Sequence, residues 1–257
     1  MEKIFINNRQ DKKIAVLLDK PAMPRGLAFI THGLGGIKSA PHLQTLAQVL
    51  LANNYIAVRF DATHTYGESE GDYTEATATN YYQDLEDVIN WAMKQAWYFE
   101  PFILVGHSLG GLCSSLYALK FGNRVKALTL LASVVSGKMF NDDCHPQERA
   151  EWERTGWQIR NSHYQPGIVK RLRWLNFIED LKQYNLLDAA AKLTMPKLLI
   201  AGEQDDVCPL PTQKIFFQIL PEPKRLQVIR KAPHTLSTAE HLEALYIITD
   251  QYLKSLN

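Results

Sequence analysis

The chain has 257 residues, of which 46% are hydrophobic and 21% are charged, with a formal net charge of +1. These values are typical of a globular protein, so they exclude collagen-like, disordered and low-complexity sequences. The near-neutral charge balance gives no electrostatic reason to expect nucleic acid or an anionic membrane surface as a partner. We therefore expect neither partner.

Apolar and β-branched runs predict four strands in the first quarter of the chain. Residues 3–7 and 13–18 are joined by a polar turn, as in a hairpin. Residues 26–31 form a continuous apolar run, typical of a strand buried on both faces. Residues 55–60 form the next strand, and residues 41–53 between them carry leucines at helical spacing.

Strands and helices continue to alternate along the rest of the chain. Strands separated by helices of this length indicate βαβ units, hence a mainly parallel sheet with helices on both faces. The further predicted elements are helices over 78–97, 109–121 and 239–253, and strands over 102–105, 125–131, 197–201 and 226–229.

The segment from 134 to 194 departs from this alternation. Its composition shifts towards Trp, Arg, Asn and Gln, and it contains no convincing strand. A short helix is predicted to end at Gly156, and a second follows from the helical spacing of residues 168, 172, 175 and 178. Long insertions between core strands tend to be functional. We therefore divide the chain into a core, 1–133 and 195–257, and an insertion, 134–194.

A serine follows the strand 102–105, in Gly106-His-Ser-Leu-Gly-Gly111, directly before a helix. Gly-x-Ser-x-Gly between a strand and a helix is the turn that presents a nucleophilic serine. The flanking glycines let neighbouring backbones pass close to the turn. The helix dipole favours negative charge developing at the same point. Ser108 is therefore the predicted nucleophile.

Nucleotide-binding alternatives for the glycine clusters fail on spacing. A P-loop requires Lys and then Ser or Thr after its second glycine, whereas Gly111 is followed by Leu112 and Cys113. A dinucleotide fingerprint needs a third glycine at the position that Lys38 occupies after Gly33-Leu-Gly-Gly36. Neither cluster therefore predicts a nucleotide site.

The second glycine cluster fits the chemistry of a serine nucleophile better. Acyl transfer needs backbone N–H groups that face the developing oxyanion. The amide of Leu109, directly after the serine, and the amide of Leu34 are the candidates. Gly33 and its neighbours would let this loop turn its amides inward, although a plain strand-to-loop turn is an alternative. We expect His32 to hold the loop by hydrogen bonds rather than to react.

A serine nucleophile also needs a base and an orienting acid. Of the eight histidines, only His234 lies in the loop between the last predicted strand and the closing helix. Three carboxylates follow the strand 197–201, and we prefer Asp205 to Asp206 and then Glu203. The chain order Ser108, Asp205, His234 differs from the two common protease orders.

The other histidines have weaker predicted roles. His107 is fixed by the serine turn and is expected to point elsewhere, in a supporting position. His64 and His163 lie on loops near the site by topology, so they are candidates for substrate contact, as is Trp174 of the insertion. No metal motif is present, and we expect neither a metal nor another cofactor. The histidines expected to be ordinary surface or helix-cap residues are His42, His145 and His241.

Four segments resemble bacterial cinnamoyl/feruloyl esterases and monoacylglycerol-lipase-like carboxylesterases of the α/β-hydrolase superfamily. They are His32-Gly-Leu-Gly-Gly36, Val58-Arg-Phe-Asp61, Gly67-Glu-Ser-Glu-Gly71 and Gly106-His-Ser-Leu-Gly-Gly111. The resemblance covers nearly the whole chain except the insertion. It implies the α/β-hydrolase fold, with a small helical cap inserted after the sixth strand, and ester hydrolysis without a cofactor.

The same resemblance assigns Ser108, Asp205 and His234 as the triad, and the Leu34 and Leu109 amides as oxyanion donors. One loop departs from the family pattern. Such relatives usually show a Gly-His-Gly-type turn where this chain has Ala62-Thr-His-Thr-Tyr66. Because this loop borders the predicted site, no relative's substrate preference is carried over.

The leading prediction is a serine carboxylester hydrolase that acts on a small-molecule ester through an acyl-enzyme. A thioesterase, an acyltransferase, a peptidase and a cofactor-free perhydrolase would use the same triad. A non-catalytic binding protein of the same fold is the rival from a different class. The widely spaced cysteines, the absence of a signal-peptide pattern and the absence of a long apolar run favour a cytoplasmic location without a membrane span. The acyl and alcohol groups and the oligomeric state stay open.

Overall fold

The structure is a computed structural model that describes residues 1–162 and 165–256. Ten strands and eight α-helices are formed by these described residues, besides short 3₁₀ helices. The strands are β1 (Glu2–Asn7), β2 (Lys13–Asp19), β3 (Gly26–Thr31), β4 (Tyr55–Phe60), β5 (Phe102–His107), β6 (Val125–Leu131), β7 (Trp157–Asn161), β8 (Val169–Arg173), β9 (Lys197–Gly202) and β10 (Lys224–Ile229). The helices are α1 (Pro41–Ala52), α2 (Ala78–Ala92), α3 (Leu109–Lys120), α4 (Gly137–Asp143), α5 (Pro146–Thr155), α6 (Trp174–Leu181), α7 (Leu210–Ile219) and α8 (Ala239–Lys254).

Eight of these strands form one sheet in the order β1-β2-β4-β3-β5-β6-β9-β10. The pairs β1–β2 and β2–β4 are antiparallel, and the other neighbours are parallel. Helices α1 and α8 pack on one face, and α2, α3 and α7 pack on the other. The predicted fold class, a mainly parallel α/β-hydrolase sheet with helices on both faces, is confirmed.

The central strands are buried on both faces, which explains why their sequences are mostly apolar. Every residue of β3, β4, β5 and β9 is buried. Because successive strand residues point to opposite faces, Phe29 packs in one apolar cluster while Ala28 and Ile30 pack in the other. The carboxyl ends of these parallel strands therefore lie together on a rigid support.

Two helices of the core differ from the predictions. Helix α2 ends at Ala92 rather than Trp97, because the Lys94 and Gln95 amides donate to carbonyls three residues earlier and so tighten the chain into turns. Helix α7 was not predicted. It buries only three side chains, and its sequence is rich in β-branched and aromatic residues that favour helices weakly.

The insertion, residues 134–194, contains α4, α5, α6 and an antiparallel hairpin of β7 and β8. The prediction that it lacks strands was wrong. Burial alternates along β8, where Lys170 and Leu172 face inward, so the helical spacing from residue 168 onwards was accidental. The second helix begins only at Trp174.

The insertion is packed firmly against the core. Helix α6 lies on α2, and the Asp180 carboxylate accepts hydrogen bonds from the Thr79 amide at 2.9 Å and the Thr79 hydroxyl at 2.6 Å. This carboxylate lies at the first turn of α2, where the helix dipole favours negative charge. Trp174 and Phe177 belong to the same apolar cluster as Leu112 of α3. None of the helices in the described residues is both long and apolar enough to span a membrane.

Candidate active site

A cleft of about 1680 Å³ opens where the carboxyl ends of the parallel strands meet the insertion. Its floor is formed by loops that follow β3, β5, β9 and β10, and residues of the hairpin and of α5 and α6 form part of its wall. Small-molecule sites are usually clefts of about 300–1,000 Å³. The cleft is therefore large enough for a substantial organic molecule.

Ser108 lies in the turn between β5 and α3, at φ 55° and ψ −118°. This positive φ is strained for a residue with a side chain, so surrounding bonds must hold it. The Ser108 amide donates to the Leu131 carbonyl at 2.9 Å, and the Ser108 carbonyl accepts from the Val134 amide at 3.0 Å. A Cβ atom at Gly33 would lie only 2.9 Å from the Ser108 Cβ, which explains the glycine there.

The structure brings together the three residues predicted as the triad. Ser108 Oγ lies 3.1 Å from His234 Nε2, and His234 Nδ1 lies 2.9 Å from Asp205 Oδ2. An ionised carboxylate can only accept, so Nδ1 carries the proton that it donates to Asp205. In the neutral ring, Nε2 is then left as an acceptor for the serine hydroxyl. This arrangement can remove a proton from Ser108.

Asp205 is fixed by the backbone that follows it. Its side chain is fully buried, and Oδ1 accepts hydrogen bonds from the amides of Val207 at 2.9 Å and Cys208 at 2.8 Å. The rival carboxylates lie elsewhere. Asp206 is exposed, and Glu203 accepts from the Lys231 amide at 2.8 Å. Of the three predicted candidates, only Asp205 forms a hydrogen bond with His234.

Two backbone N–H groups lie next to the serine. Leu34 and Leu109 line the cleft, and within residues 1–162 and 165–256 neither amide donates a hydrogen bond. Leu109 is the first residue of α3, and the first N–H groups of a helix have no acceptor within it. These amides can therefore donate to an oxygen of a bound molecule.

His32 supports the loop that carries Leu34. Its Nδ1 donates to the Gly33 carbonyl at 2.7 Å, and its Nε2 accepts from the Ala62 amide at 2.9 Å. Nε2 can accept a hydrogen bond only in the neutral ring, and burial lowers the pKa of His32 below its ordinary value. His32 thus joins the loop after β3 to the loop after β4.

Two further histidines pack behind His234. The ring centroid of His107 lies 4.9 Å from that of His234 and 4.4 Å from that of His42. His107 Nε2 also donates to the His234 carbonyl at 3.2 Å. Burial lowers the pKa of His107 well below its ordinary value and that of His42 to about 3. Both rings are therefore neutral near pH 7.

Several minor predictions about histidines need correction. His42 is not a surface residue, because it is only 1% exposed on the inward face of α1. His107 does not point away from the site, since it contacts His234. His241 is also buried, whereas His145 lies at the start of α5 and lines the cleft.

Two residues predicted as candidates for substrate contact, His64 and Trp174, do not line the cleft, and a third cannot be placed. His64 does not line the cleft: its Nε2 accepts from Lys12 Nζ at 2.7 Å and its Nδ1 donates to the Asp72 carbonyl at 2.9 Å. Trp174 is fully buried beside Trp152, with ring centroids 4.7 Å apart. His163 lies outside the described residues.

Five hairpin residues line the cleft that were not predicted as site residues, namely Gln158, Ile159, Arg160, Asn161 and Lys170. No signal pointed to them, because β7 and β8 were not predicted. Among the described residues, no group of three His, Cys, Asp or Glu side chains is placed to hold a metal ion.

The sheet topology is that of the α/β-hydrolase fold, and comparison with known proteins places the chain among the hydrolases of this superfamily. A family model described as "Serine aminopeptidase, S33" (Hydrolase_4) matches residues 22–240, most of the chain. The chain belongs to this family.

Two curated relatives show the range of activities around this chain. The mitochondrial palmitoyl-protein thioesterase ABHD10 of Bos taurus is 24% identical over 235 residues, which cover 90% of this chain and 74% of that protein. The monoglyceride lipase of Homo sapiens is 23% identical over 241 residues, which cover 83% and 76%. Bovine ABHD10 is named as a mitochondrial protein, so the cytoplasmic location of this chain stays a prediction.

Solved structures share the fold along almost the whole chain. Est1E from Butyrivibrio proteoclasticus with bound ferulic acid has a TM-score of 0.80 and 21% identity, covering 98% of both chains. Mouse ABHD10 has a TM-score of 0.80 and 20% identity, covering both chains completely. The resemblance to feruloyl esterases and monoacylglycerol lipases seen in the sequence is confirmed.

Proposed function

We propose that this protein is a serine hydrolase that cleaves carboxylic esters through an acyl-enzyme intermediate. The observation that carries the proposal is the hydrogen-bonded series from Ser108 Oγ through His234 to Asp205, on the floor of a large cleft. A serine is a weak nucleophile unless a base removes its proton, and this series supplies the base and its orienting acid.

In the proposed reaction, Ser108 Oγ attacks the acyl carbon while His234 Nε2 takes the hydroxyl proton. The negative charge that develops on the acyl oxygen is stabilised by the N–H groups of Leu34 and Leu109. His234 then returns the proton to the leaving alcohol. Water repeats the same steps on the acyl-enzyme and releases the acid. Asp205 keeps the imidazole in the required tautomer throughout.

We further propose that residues 134–194 act as a cap that selects the substrate, with 1–133 and 195–257 as the catalytic core. Trp152 and Phe177 of the insertion line the cleft, so an apolar part of the substrate can bury against them. Each buried CH₂ group contributes about 0.8 kcal/mol. Acyl groups long enough to reach this wall should therefore be preferred to acetate.

Thioester hydrolysis is the second candidate, because the bovine relative carries the name of a palmitoyl-protein thioesterase. The same triad would serve a thioester, since only the leaving group differs. Matched oxygen esters and thioesters of one acid distinguish the two, and the corresponding 4-nitroanilide tests the peptidase activity suggested by the family description. For each of the three substrates, kcat/KM is divided by the rate constant of its spontaneous hydrolysis. The ester proposal requires that this ratio is highest for the oxygen ester.

A fluorophosphonate probe tests whether Ser108 is an activated nucleophile. The wild-type protein should be labelled at neutral pH on the peptide that contains Ser108, and Ser108→Ala should not be labelled. Intact-mass and peptide analysis measure both results. A folded wild-type protein that stays unlabelled would contradict the proposal and favour the non-catalytic binding role.

The pH dependence should report a single base. We expect kcat/KM to rise with pH and then reach a plateau, because His234 accepts the serine proton only when neutral. Burial lowers the pKa of both His42 and His107, so we expect neither ring to add a second titration to the profile. When log kcat/KM is plotted against pH between about pH 5 and pH 8, the rising part below the plateau should have a slope of one. A slope of two would mean that a second group in this histidine cluster titrates.

A further inference from the structure

Two cations oppose each other on the hairpin wall of the cleft. Arg160 of β7 and Lys170 of β8 are direct partners in the antiparallel register. Side chains of such partners project from the same face, and both of these residues line the cleft. Like charges in this position destabilise a hairpin, so folding alone does not explain the pair.

Only one of the two cations is neutralised. Arg160 forms an ion pair with Glu148 at 2.6 Å and lies over the ring of Trp152. Lys170 is only 9% exposed, yet within the described parts of the chain it has no carboxylate partner. Its one hydrogen bond there is a long contact of 3.4 Å with the Gly35 carbonyl. An ammonium group has three donors, so most of the capacity of Lys170 is unused.

Burial of an ammonium group without a counter-ion destabilises the charged form, and this lowers the pKa of the group. Burial, together with the nearby Arg160, lowers the pKa of Lys170 to about 8. A bound anion would restore the charge balance and satisfy the free donors. The other charged side chains that line the cleft are three carboxylates, Asp143, Glu148 and Asp206, and Arg160, which pairs with Glu148. An anion is therefore favoured at Lys170 rather than elsewhere in the cleft lining.

We propose that Lys170 binds a carboxylate of the substrate, so that the preferred esters carry an acid group in addition to the ester bond. This inference rests on the proposed ester hydrolysis and names its substrate class. Lys170 contacts Gly35, which directly follows Leu34 in the loop after β3. The amide of Leu34 is one of the two proposed oxyanion donors, so the carboxylate would lie in the same cleft as the bond that is cleaved.

Matched pairs of esters test this preference. For a charge on the acyl side, the mono-4-nitrophenyl esters of adipic, suberic and sebacic acid are compared with the methyl 4-nitrophenyl diesters of the same acids. For a charge on the alcohol side, 4-acetoxybenzoate is compared with its methyl ester. In the wild-type protein, kcat/KM corrected for spontaneous hydrolysis should favour the anionic member of at least one pair by about ten- to hundredfold, as one charged hydrogen bond allows.

Three variants assign the preference to Lys170. Lys170→Met should bring the ratio of anionic to neutral rates close to one, whatever the absolute rate of the variant on the neutral ester. Lys170→Gln is a second, polar replacement in case the methionine variant does not fold. The control is Lys182→Met, because Lys182 lies on the same insertion, pairs with Glu179 and does not line the cleft. An unchanged ratio in a folded Lys170 variant overturns the inference.

Binding to Ser108→Ala separates this inference from the proposed function. Monomethyl suberate should bind this variant more tightly than dimethyl suberate, and adding Lys170→Met should remove the difference. If no ester is hydrolysed but this difference is present, ester hydrolysis is wrong and the carboxylate site stands. If hydrolysis is normal and neither rates nor Kd values respond to the carboxylate, the carboxylate site is wrong and the proposed function stands.

Discussion

Replacing Ser108 with alanine is expected to lower kcat for an ester substrate by about 10⁴- to 10⁶-fold, because triad members act as a unit. The variant loses only Oγ, while the backbone bonds of residue 108 to Leu131 and Val134 stay in place. The fold should therefore be retained. Release of 4-nitrophenolate measures the rate, and circular dichroism and Tm measured in parallel report the fold.

Ser114→Ala is the matched control. Ser114 lies on α3 only six residues further on and is equally buried, and in the described structure its hydroxyl has no hydrogen-bond partner. Its removal should leave kcat and KM close to wild type. Retention of more than a few per cent of activity by Ser108→Ala would assign the nucleophile elsewhere.

Asp205→Asn is expected to lower kcat by about 10⁴-fold with little change in KM, as loss of the orienting carboxylate does in serine triads. The amides of Val207 and Cys208 would hold the asparagine oxygen, which leaves its NH₂ group facing His234 Nδ1. His234 Nδ1 must then accept a hydrogen bond from this NH₂ group, so the ring proton moves to Nε2. The ring can no longer take the proton of Ser108.

Asp206→Asn serves as the control for the preceding variant. The Asp206 side chain is exposed and follows Asp205 directly in the chain. Its substitution should change kcat by no more than a few-fold in the same assay. The reverse ranking of the two variants would assign the acid to Asp206.

The fold could be predicted because its central strands are buried on both faces. Such strands are apolar at nearly every position, so β3 and β5 stand out in the sequence. The β7–β8 hairpin could not be predicted in this way. Its inward side chains include Gln158 and Lys170, so the alternation of apolar and polar residues that marks a half-buried strand is missing.

The candidate triad could be predicted because each member directly follows a strand. Ser108 comes after β5, Asp205 after β9 and His234 after β10, so topology places them at one edge of the sheet. His42 had no such signal. It lies on a helix whose leucines read as an ordinary apolar face, and only the packing of α1 against the serine turn brings its ring to His107.

The position of β10 has a consequence for how long the site stays assembled. This strand is the last of the sheet and pairs on one side only, and Ile229 is its only buried residue. Ser108, by contrast, follows β5 in the fully buried centre. Transient local opening begins where few buried contacts hold the chain. We therefore expect the contact between His234 and Ser108 to be interrupted first by fraying at this outer strand, which requires less free energy than unfolding of the whole molecule.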